Sequence, residues 1–159
     1  MSVDQLLPPK PLPPLLLEVK LAALRKFLTR LADAGYPDIR EGYGCVFGFI
    51  DVEHGSRLTD LANRSGLTKQ AVGEAVTELE RLGYLTREPD PGDRRAKLIK
   101  LTESGHEAVL TGRRLFADIE QEWADQIGPE LMASLREAAT RIAELEGAPV
   151  EAPSPVPTA

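Results

Sequence analysis

Apolar residues recur at helical spacing in several stretches of this chain, separated by short polar breaks, and that rhythm outlines its elements. Leu17, Leu21, Leu24, Leu28 and Leu31 step by four, three, four and three positions, the narrow seam of a helix that packs along its length. The same step recurs near the other end in Leu131, Leu135, Ala138, Ile142 and Leu145. Between the seams, Tyr43, Val46, Phe47 and Ile50 stand at i, i+3, i+4 and i+7 and predict a short helix within residues 36 to 53. Leu58, Leu61 and Ala62 keep helical spacing up to Ser65-Gly66, where glycine tolerates the left-handed conformation just past a helix end. A further helix starts after Thr68, whose hydroxyl can accept from a free amide of the first turn. In it Ala71, Val72, Ala75, Val76, Leu79 and Leu82 fall within one arc, with Gln70, Gly73, Glu74, Thr77 and Arg81 opposite. Gly83 ends that helix. Tyr84-Leu85-Thr86-Arg87 has strand composition, PDPGD at 89 to 93 predicts a turn, and Ala96 to Leu101 predicts a second strand. A long helix after Thr102 carries Val109, Phe116, Ile119, Trp123 and Ile127 on its inner side.

Two short helices joined by a tight turn, then a hairpin with a basic tip, are the outline of a winged helix-turn-helix. The predicted fold class is mainly α with a small β-hairpin wing, a winged helix-turn-helix plus a helical dimerisation layer. In the helix after Thr68 one face packs and the other is free to touch something. Gln70 and Thr77 are of types that read base edges, Lys69 can meet a phosphate, and Gly73 leaves room for close approach of the backbone. Arg94 and Arg95 stand at the hairpin tip, where they can enter a minor groove or follow phosphates. Taken alone, these polar residues read better as a solvated surface. The flanking elements shift the reading towards double-stranded DNA.

The chain resembles the multiple antibiotic resistance regulator (MarR) family of bacterial transcription factors. The resemblance is carried by Leu61-Ala62, Thr68-Lys69-Gln70-Ala71-Val72-Gly73, Leu79-Glu80, Gly83-Tyr84, Asp90-Pro91, Asp93-Arg94-Arg95, Leu101-Thr102 and Gly105, which cover most of residues 57 to 105. It implies that the helix over 68 to 82 enters the major groove and that Arg94 or Arg95 reaches the adjacent minor groove, with Asp93 placed to orient it. Glu74 is a departure, since many relatives carry arginine there; a carboxylate accepts from a cytosine amine and repels phosphate, so base preference is not transferable at that step. The resemblance also implies a small aromatic or phenolic effector. Tyr36, Cys45, Phe49 and His106 are the candidates to line its pocket, although core packing explains the same residues.

The two leucine seams suggest an intertwined dimerisation layer over about residues 15 to 34 and 102 to 146. A protomer that packs both seams into its own core is the alternative, and the resemblance favours the homodimer. The candidate dimerisation residues are Leu17, Leu21, Leu24, Leu28, Leu131, Leu135, Ile142 and Leu145. Two recognition helices related by a twofold axis read half-sites about one helical turn, roughly 34 Å, apart, hence a pseudo-palindromic operator. Residues 1 to 14 are expected to be a proline-rich arm, because the PPKPLPP run at 8 to 14 lacks backbone donors. Residues 147 to 159, with four prolines, are expected to be a disordered tail. That leaves a single domain of 15 to 146, with its DNA-binding part at about 43 to 101, and roughly 130 residues suffice for one core.

The formal net charge is −6, which by itself argues against DNA. Residues 57 to 100 nevertheless hold nine Lys/Arg against seven Asp/Glu, a local +2, so the remainder carries −8. An acidic body would keep the protein off non-specific DNA and turn the basic wing towards it. No apolar run approaches the roughly 18 residues needed to cross a bilayer, and no leader pattern opens the chain, so a cytoplasmic protein without membrane contact is expected. A single cysteine excludes an intrachain disulfide. Asp51, Glu53 and His54 read as a helix end and turn in preference to metal ligands, and His106, with Glu103 and Glu107 nearby, reads as solvated. No nucleophile-base-acid set or phosphate cradle is present, so no enzyme activity, cofactor or metal is expected. The expected function is a sequence-specific regulator, a repressor released by an effector. The alternatives are a winged-helix module that binds protein, and a redox sensor acting through Cys45.

Overall fold

A computed structural model describes residues 9 to 147, apart from the side chain of Arg94. Its elements run α1 (Leu12–Asp33), a 3-10 turn (Glu41–Tyr43) leading into α2 (Gly44–Phe47), β1 (Ser56–Arg57), α3 (Leu58–Ser65), α4 (Lys69–Arg81), β2 (Leu85–Asp90), β3 (Asp93–Leu101), α5 (Glu103–Ile127) and α6 (Pro129–Leu145). The expected class, mainly α with a small wing, is what is found. Of the expected arm over 1 to 14 and tail over 147 to 159, residues 1 to 8 and 148 to 159 lie outside the described residues.

The core gathers where α2, α3, α4 and the sheet meet. Val46, Leu61, Val72, Val76 and Leu79 have no exposed surface, and Tyr43, Ile50, Tyr84, Leu85, Ile99 and Leu101 close around them. Each such aliphatic side chain contributes on the order of 1.5 to 3 kcal/mol of transfer free energy. α3 and α4 are separated by Gly66, whose φ of 70° is the left-handed conformation that ends a helix at little steric cost. Thr68 then caps α4, its hydroxyl accepting from the Ala71 amide at 3.2 Å. Ala71 itself, expected inside, is exposed because it lies in the first turn, ahead of the layer that covers Val72 and Ala75.

The sheet has three strands in the order β1-β3-β2, all antiparallel. β1 escapes a sequence reading because its two residues are too few to alternate; Ser56 and Arg57 pair with Ile99 and Leu98. The wing is also longer than PDPGD predicts. Pro89 and Asp90 belong to β2 and Asp93 starts β3, so Pro91-Gly92 alone make the turn. Proline fits at 89 because β2 is an edge strand and a bulge follows it. Asp90 organises the tip: one carboxylate oxygen accepts from the Gly92 amide at 2.8 Å and the other from Arg57 Nε at 2.6 Å. Those two contacts, the Gly92 amide first, hold its carboxyl below the usual carboxylate range.

The junction of wing and α5 is tight. Thr102 donates its hydroxyl to the Gly83 carbonyl at 2.6 Å, accepts from the Gly105 amide at 3.1 Å, and sends its own amide to Tyr84 O at 3.0 Å. At Gly105 a Cβ would stand 2.1 Å from Tyr84 O, so only glycine fits. His106, read from sequence as solvated, is half-buried; its ring nitrogens lie 2.8 Å from Thr102 O and 3.2 Å from Val52 O, tying α5 to the segment before β1. Asp51, on that segment, accepts from the amides of Glu53 and His54 at 2.9 and 2.8 Å, and so closes the turn there. Among the described residues no group of three or more His, Cys, Asp or Glu is placed to hold a metal.

α1 leans on α5 through its C-terminal half. Phe27 stacks on Phe116 with ring centroids 4.0 Å apart, over Gly112, while Lys26 and Arg30 both pair with Glu122. Leu31 and Ile119 are buried there. Phe116 and Ile127, expected on the inner side of α5, retain 39% and 47% exposure. The leucine seam of α1 opens progressively: Leu31 buried, Leu28 and Leu24 half-buried, Leu21 and Leu17 exposed. Helix α1 begins at Leu12, inside the stretch expected to be an extended arm, because Pro13 and Pro14 fall in the first turn, where an amide has no helical partner to lose. α6 buries no residue, and Leu131, Leu135, Ile142 and Leu145 are all exposed. A protomer that packs both seams into its own core is therefore not what forms.

Two predictions arise here. Gly105→Ala is expected to destabilise the fold by about 1 to 3 kcal/mol, since it overpacks against backbone, lowering the thermal midpoint by roughly 3 to 10 °C; an unchanged midpoint would show that the Tyr84 carbonyl yields freely. For Asp90 the depressed carboxyl pKa means that its contribution is present above the ordinary carboxylate pKa of about 4 and is lost as pH falls through the lowered folded value. Amide-exchange protection across Asp93 to Lys97, corrected for intrinsic rates, should therefore hold from neutral pH to about 5 and fall below about 4. Asp90→Ala should lose it at every pH, and protection that persists in wild-type protein at strongly acid pH would remove Asp90 from this role.

Candidate nucleic-acid interface

With Val72, Ala75, Val76 and Leu79 buried, the opposite side of α4 faces outward. Thr68, Lys69, Gln70, Glu74 and Thr77 are exposed along it, and Gly73 lies half-covered between them. The residues that sequence reasoning grouped here do stand together. They also interact: Gln70 Nε2 donates to Glu74 Oε1 at 3.2 Å, and the Thr77 hydroxyl donates to Gly73 O at 2.8 Å. A Cβ at Gly73 would meet only Leu58 Cδ2, at an ordinary 3.8 Å. Glycine inside a helix costs roughly 0.5 to 1 kcal/mol relative to alanine, and no crowding within the protomer requires it at 73.

Sequence reasoning missed Arg87. From β2 it reaches across to α4, donating to Thr77 Oγ1 at 3.1 Å and pairing with Glu80 at 3.2 Å. Its guanidinium closes one side of a shallow groove of about 480 Å³ whose other walls include Leu58, Gln70, Gly73, Glu74 and Thr77. The signal was weak because Arg87 sits on a strand, ten residues from Thr77, and no periodicity links the two. Arg81 belongs to the same face and is clamped to Glu78, at 2.9 and 2.7 Å, a contact that holds the Glu78 carboxyl low and the guanidinium high.

At the wing, Arg95 is exposed, and Asp93 accepts from its backbone amide at 3.0 Å. The expected support by Asp93 is therefore given to the main chain of Arg95, and ion pairs of Asp90 with Arg57 and of Glu88 with Lys100 brace the wing. The backbone of Arg94 lies in β3, and its side chain is outside the described residues. Of the described cations between 57 and 100, Arg57, Arg81, Arg87 and Lys100 are paired with carboxylates, whereas Lys69, Arg95 and Lys97 have no carboxylate in ion-pair range among the described residues. These three stand at opposite ends of the face, one at the start of α4 and two on the wing.

The residues named for an effector pocket are packing residues in this protomer. Tyr36 rests at a tilt on Tyr84, ring centroids 6.2 Å apart, and Phe49 packs half-buried against the core. Cys45 is buried, its thiol donating to Gly42 O at 3.1 Å, and burial pushes its pKa up. A raised pKa disfavours the thiolate, the form that reacts with peroxides.

Against known proteins, a model of the MarR family matches residues 43 to 96, from the end of the 3-10 turn into β3. An uncharacterised helix-turn-helix-type transcriptional regulator of Mycobacterium leprae is 31% identical over 105 residues, covering 57% of this chain and 71% of that protein. Among solved structures, the transcriptional repressor CouR bound to a 23-mer DNA duplex superposes with a TM-score of 0.70 at 22% identity, over 84% of this chain and 92% of CouR. CouR from Rhodococcus jostii bound to p-coumaroyl-CoA gives 0.66 at 24% identity, over 87% and 92%. At such identities the two structures speak for the fold; the family rests on the matched model and the Mycobacterium leprae relative. The chain belongs to the MarR family of transcriptional regulators.

Proposed function

We propose that this regulator is a homodimeric repressor that binds a pseudo-palindromic duplex through α4 and the wing and is released by a small aromatic effector. The observation that carries the reading is the two-sidedness of α4. Its back is buried, so its hydrogen-bonding ridge of Lys69, Gln70, Glu74 and Thr77 is held outward beside a groove that glycine leaves open. An exposed helix of this width fits the major groove, and the wing then lies over the neighbouring minor groove.

The dimer reading is supported by the apolar residues that α1 and α6 leave exposed: Leu12, Leu15, Leu16, Leu17, Leu131 and Leu145 among them. Stripes of this kind on a monomer mark an interaction surface. A twofold partner would cover both stripes and place two copies of α4 for successive grooves about 34 Å apart. CouR carries an aromatic acyl thioester in one of its structures, which supports an aromatic effector here, with Tyr36, Cys45 and Phe49 as the candidate contacts. No helix among the described residues is long and apolar enough to cross a membrane, and the cytoplasm, where DNA is, remains the proposed location.

Two experiments test this. Arg94→Ala combined with Arg95→Ala should weaken duplex binding and flatten its salt dependence by up to about two phosphate contacts; unchanged binding removes the wing from the mechanism and favours a protein-binding winged helix. Leu135→Glu combined with Ile142→Glu, at positions that are exposed in the protomer, should give a folded monomer by light scattering, with operator affinity reduced tenfold or more, on the order expected when two half-sites no longer act together. A variant that stays dimeric would place the dimer interface elsewhere.

A further inference from the structure

We propose that Glu74, positioned by Gln70, selects a cytosine in each half-site through the exocyclic amine of that base. The inference rests on the reading that α4 enters the major groove. Helix α4 carries three carboxylates. Glu78 is neutralised by Arg81 at 2.7 Å and Glu80 by Arg87 at 3.2 Å. Glu74, in the middle of the outward ridge, has no cation in ion-pair range among the described residues, and its hydrogen bond is the one from Gln70 at 3.2 Å. Its charge is thus left uncompensated at the point where α4 would come closest to the bases.

A carboxylate is an acceptor without a donor, so it can face only a donor on the groove floor. The major groove offers two, N4 of cytosine and N6 of adenine. Adenine sets its N7 acceptor beside N6, which repels a second lone pair, and guanine and thymine present acceptors at the corresponding positions. Cytosine is left. Gln70 sharpens the choice. By donating one amide hydrogen to Glu74 it restrains that carboxylate, and its other N–H remains available for an acceptor, the group that the guanine paired with the cytosine supplies. Gly73 lets the helix approach without a side chain between these two and the groove. Away from the cognate base the same carboxylate meets acceptors or phosphates and is repelled, so it sharpens specificity chiefly by weakening wrong complexes.

The test selects duplexes from a random pool with full-length wild-type protein, Glu74→Ala and Glu74→Gln, and then measures binding to the selected site by anisotropy. Wild-type protein should show a cytosine at one fixed position of each half-site, where Glu74→Ala loses the preference by roughly 5- to 150-fold while other positions are unchanged and affinity for random duplex rises. Replacing that cytosine by 2-pyrimidinone deoxynucleotide, which lacks the amine, should weaken wild-type protein by a similar factor and leave Glu74→Ala indifferent. A selected site whose base preferences are the same for Glu74→Ala as for wild-type protein, or a wild-type protein insensitive to removal of the amine, overturns the assignment while DNA binding stands. A wild-type protein that selects no duplex overturns the DNA-binding reading itself.

Discussion

The surface chemistry of this protein depends on how firmly α4 is prevented from rotating about its own axis. Val72, Val76 and Leu79 are fully buried on one side, and turning the helix by one residue, about 100°, would bring some of them into water at roughly 1.5 to 3 kcal/mol each. Both ends are fixed as well. Thr68 caps the first turn, and beyond the last turn the Tyr84 amide donates to Leu79 O at 2.9 Å while Thr102 holds Gly83. Because rotation is so costly, the identity of the outward residues is set by the core and not by the partner. A ridge fixed before binding loses little conformational freedom on docking, which is the condition under which short polar side chains can discriminate between bases.

That dependence explains which parts of the fold could be read from sequence. The α3 and α4 helices, the cap at Thr68 and the glycine stop at Gly66 were legible because core burial imposes a 3.6-residue period and the caps are local chemistry. The outward set on α4 came as the complement of the buried set, with Ala71 the misplaced residue, since an arc drawn on a wheel does not know that the core begins one residue later. Features that depend on residues distant in sequence were not legible. Arg87 meets Thr77 and Glu80 across an element boundary, Arg57 meets Asp90 at a separation of 33, and His106 meets Val52 at 54. None leaves a period. Pro89 misled for the opposite reason: proline is read as a breaker, but an edge strand does not need its amide.

The same contacts connect the reading head to the helical layer. α5 starts where Thr102 and Gly105 press against the carbonyls of Gly83 and Tyr84, and it ends beyond Glu122, which receives Lys26 and Arg30 of α1. The first junction is close backbone packing with no room for a Cβ; the second combines ion pairs and a stacked phenylalanine pair with the buried side chains of Leu31 on α1 and Ile119 on α5. Backbone packing is stiff and exposed ion pairs are worth little individually. At the α1–α5 contact the ion pairs yield more easily than the backbone junction, whereas burial of Leu31 and Ile119 and the Phe27–Phe116 stack resist separation of the helices.

Charge completes the picture, and its arrangement matters more than its sum. The chain is acidic overall, and Arg81 and Arg87 on the outward face are already matched to Glu78 and Glu80 of the same helix. Such pairs lower the generic attraction for phosphate because a guanidinium must exchange a carboxylate for it, and exposed pairs of this kind exchange at a cost of no more than about 1 kcal/mol. Lys69, Arg95 and Lys97, at the two ends of the face, have no carboxylate in ion-pair range among the described residues and on the proposed reading would keep their charge for the phosphate backbone. On the proposed reading, a face built in this way would have weak affinity for arbitrary duplex and would leave the balance to groups at its centre, where Gln70, Glu74 and Thr77 present hydrogen-bonding atoms.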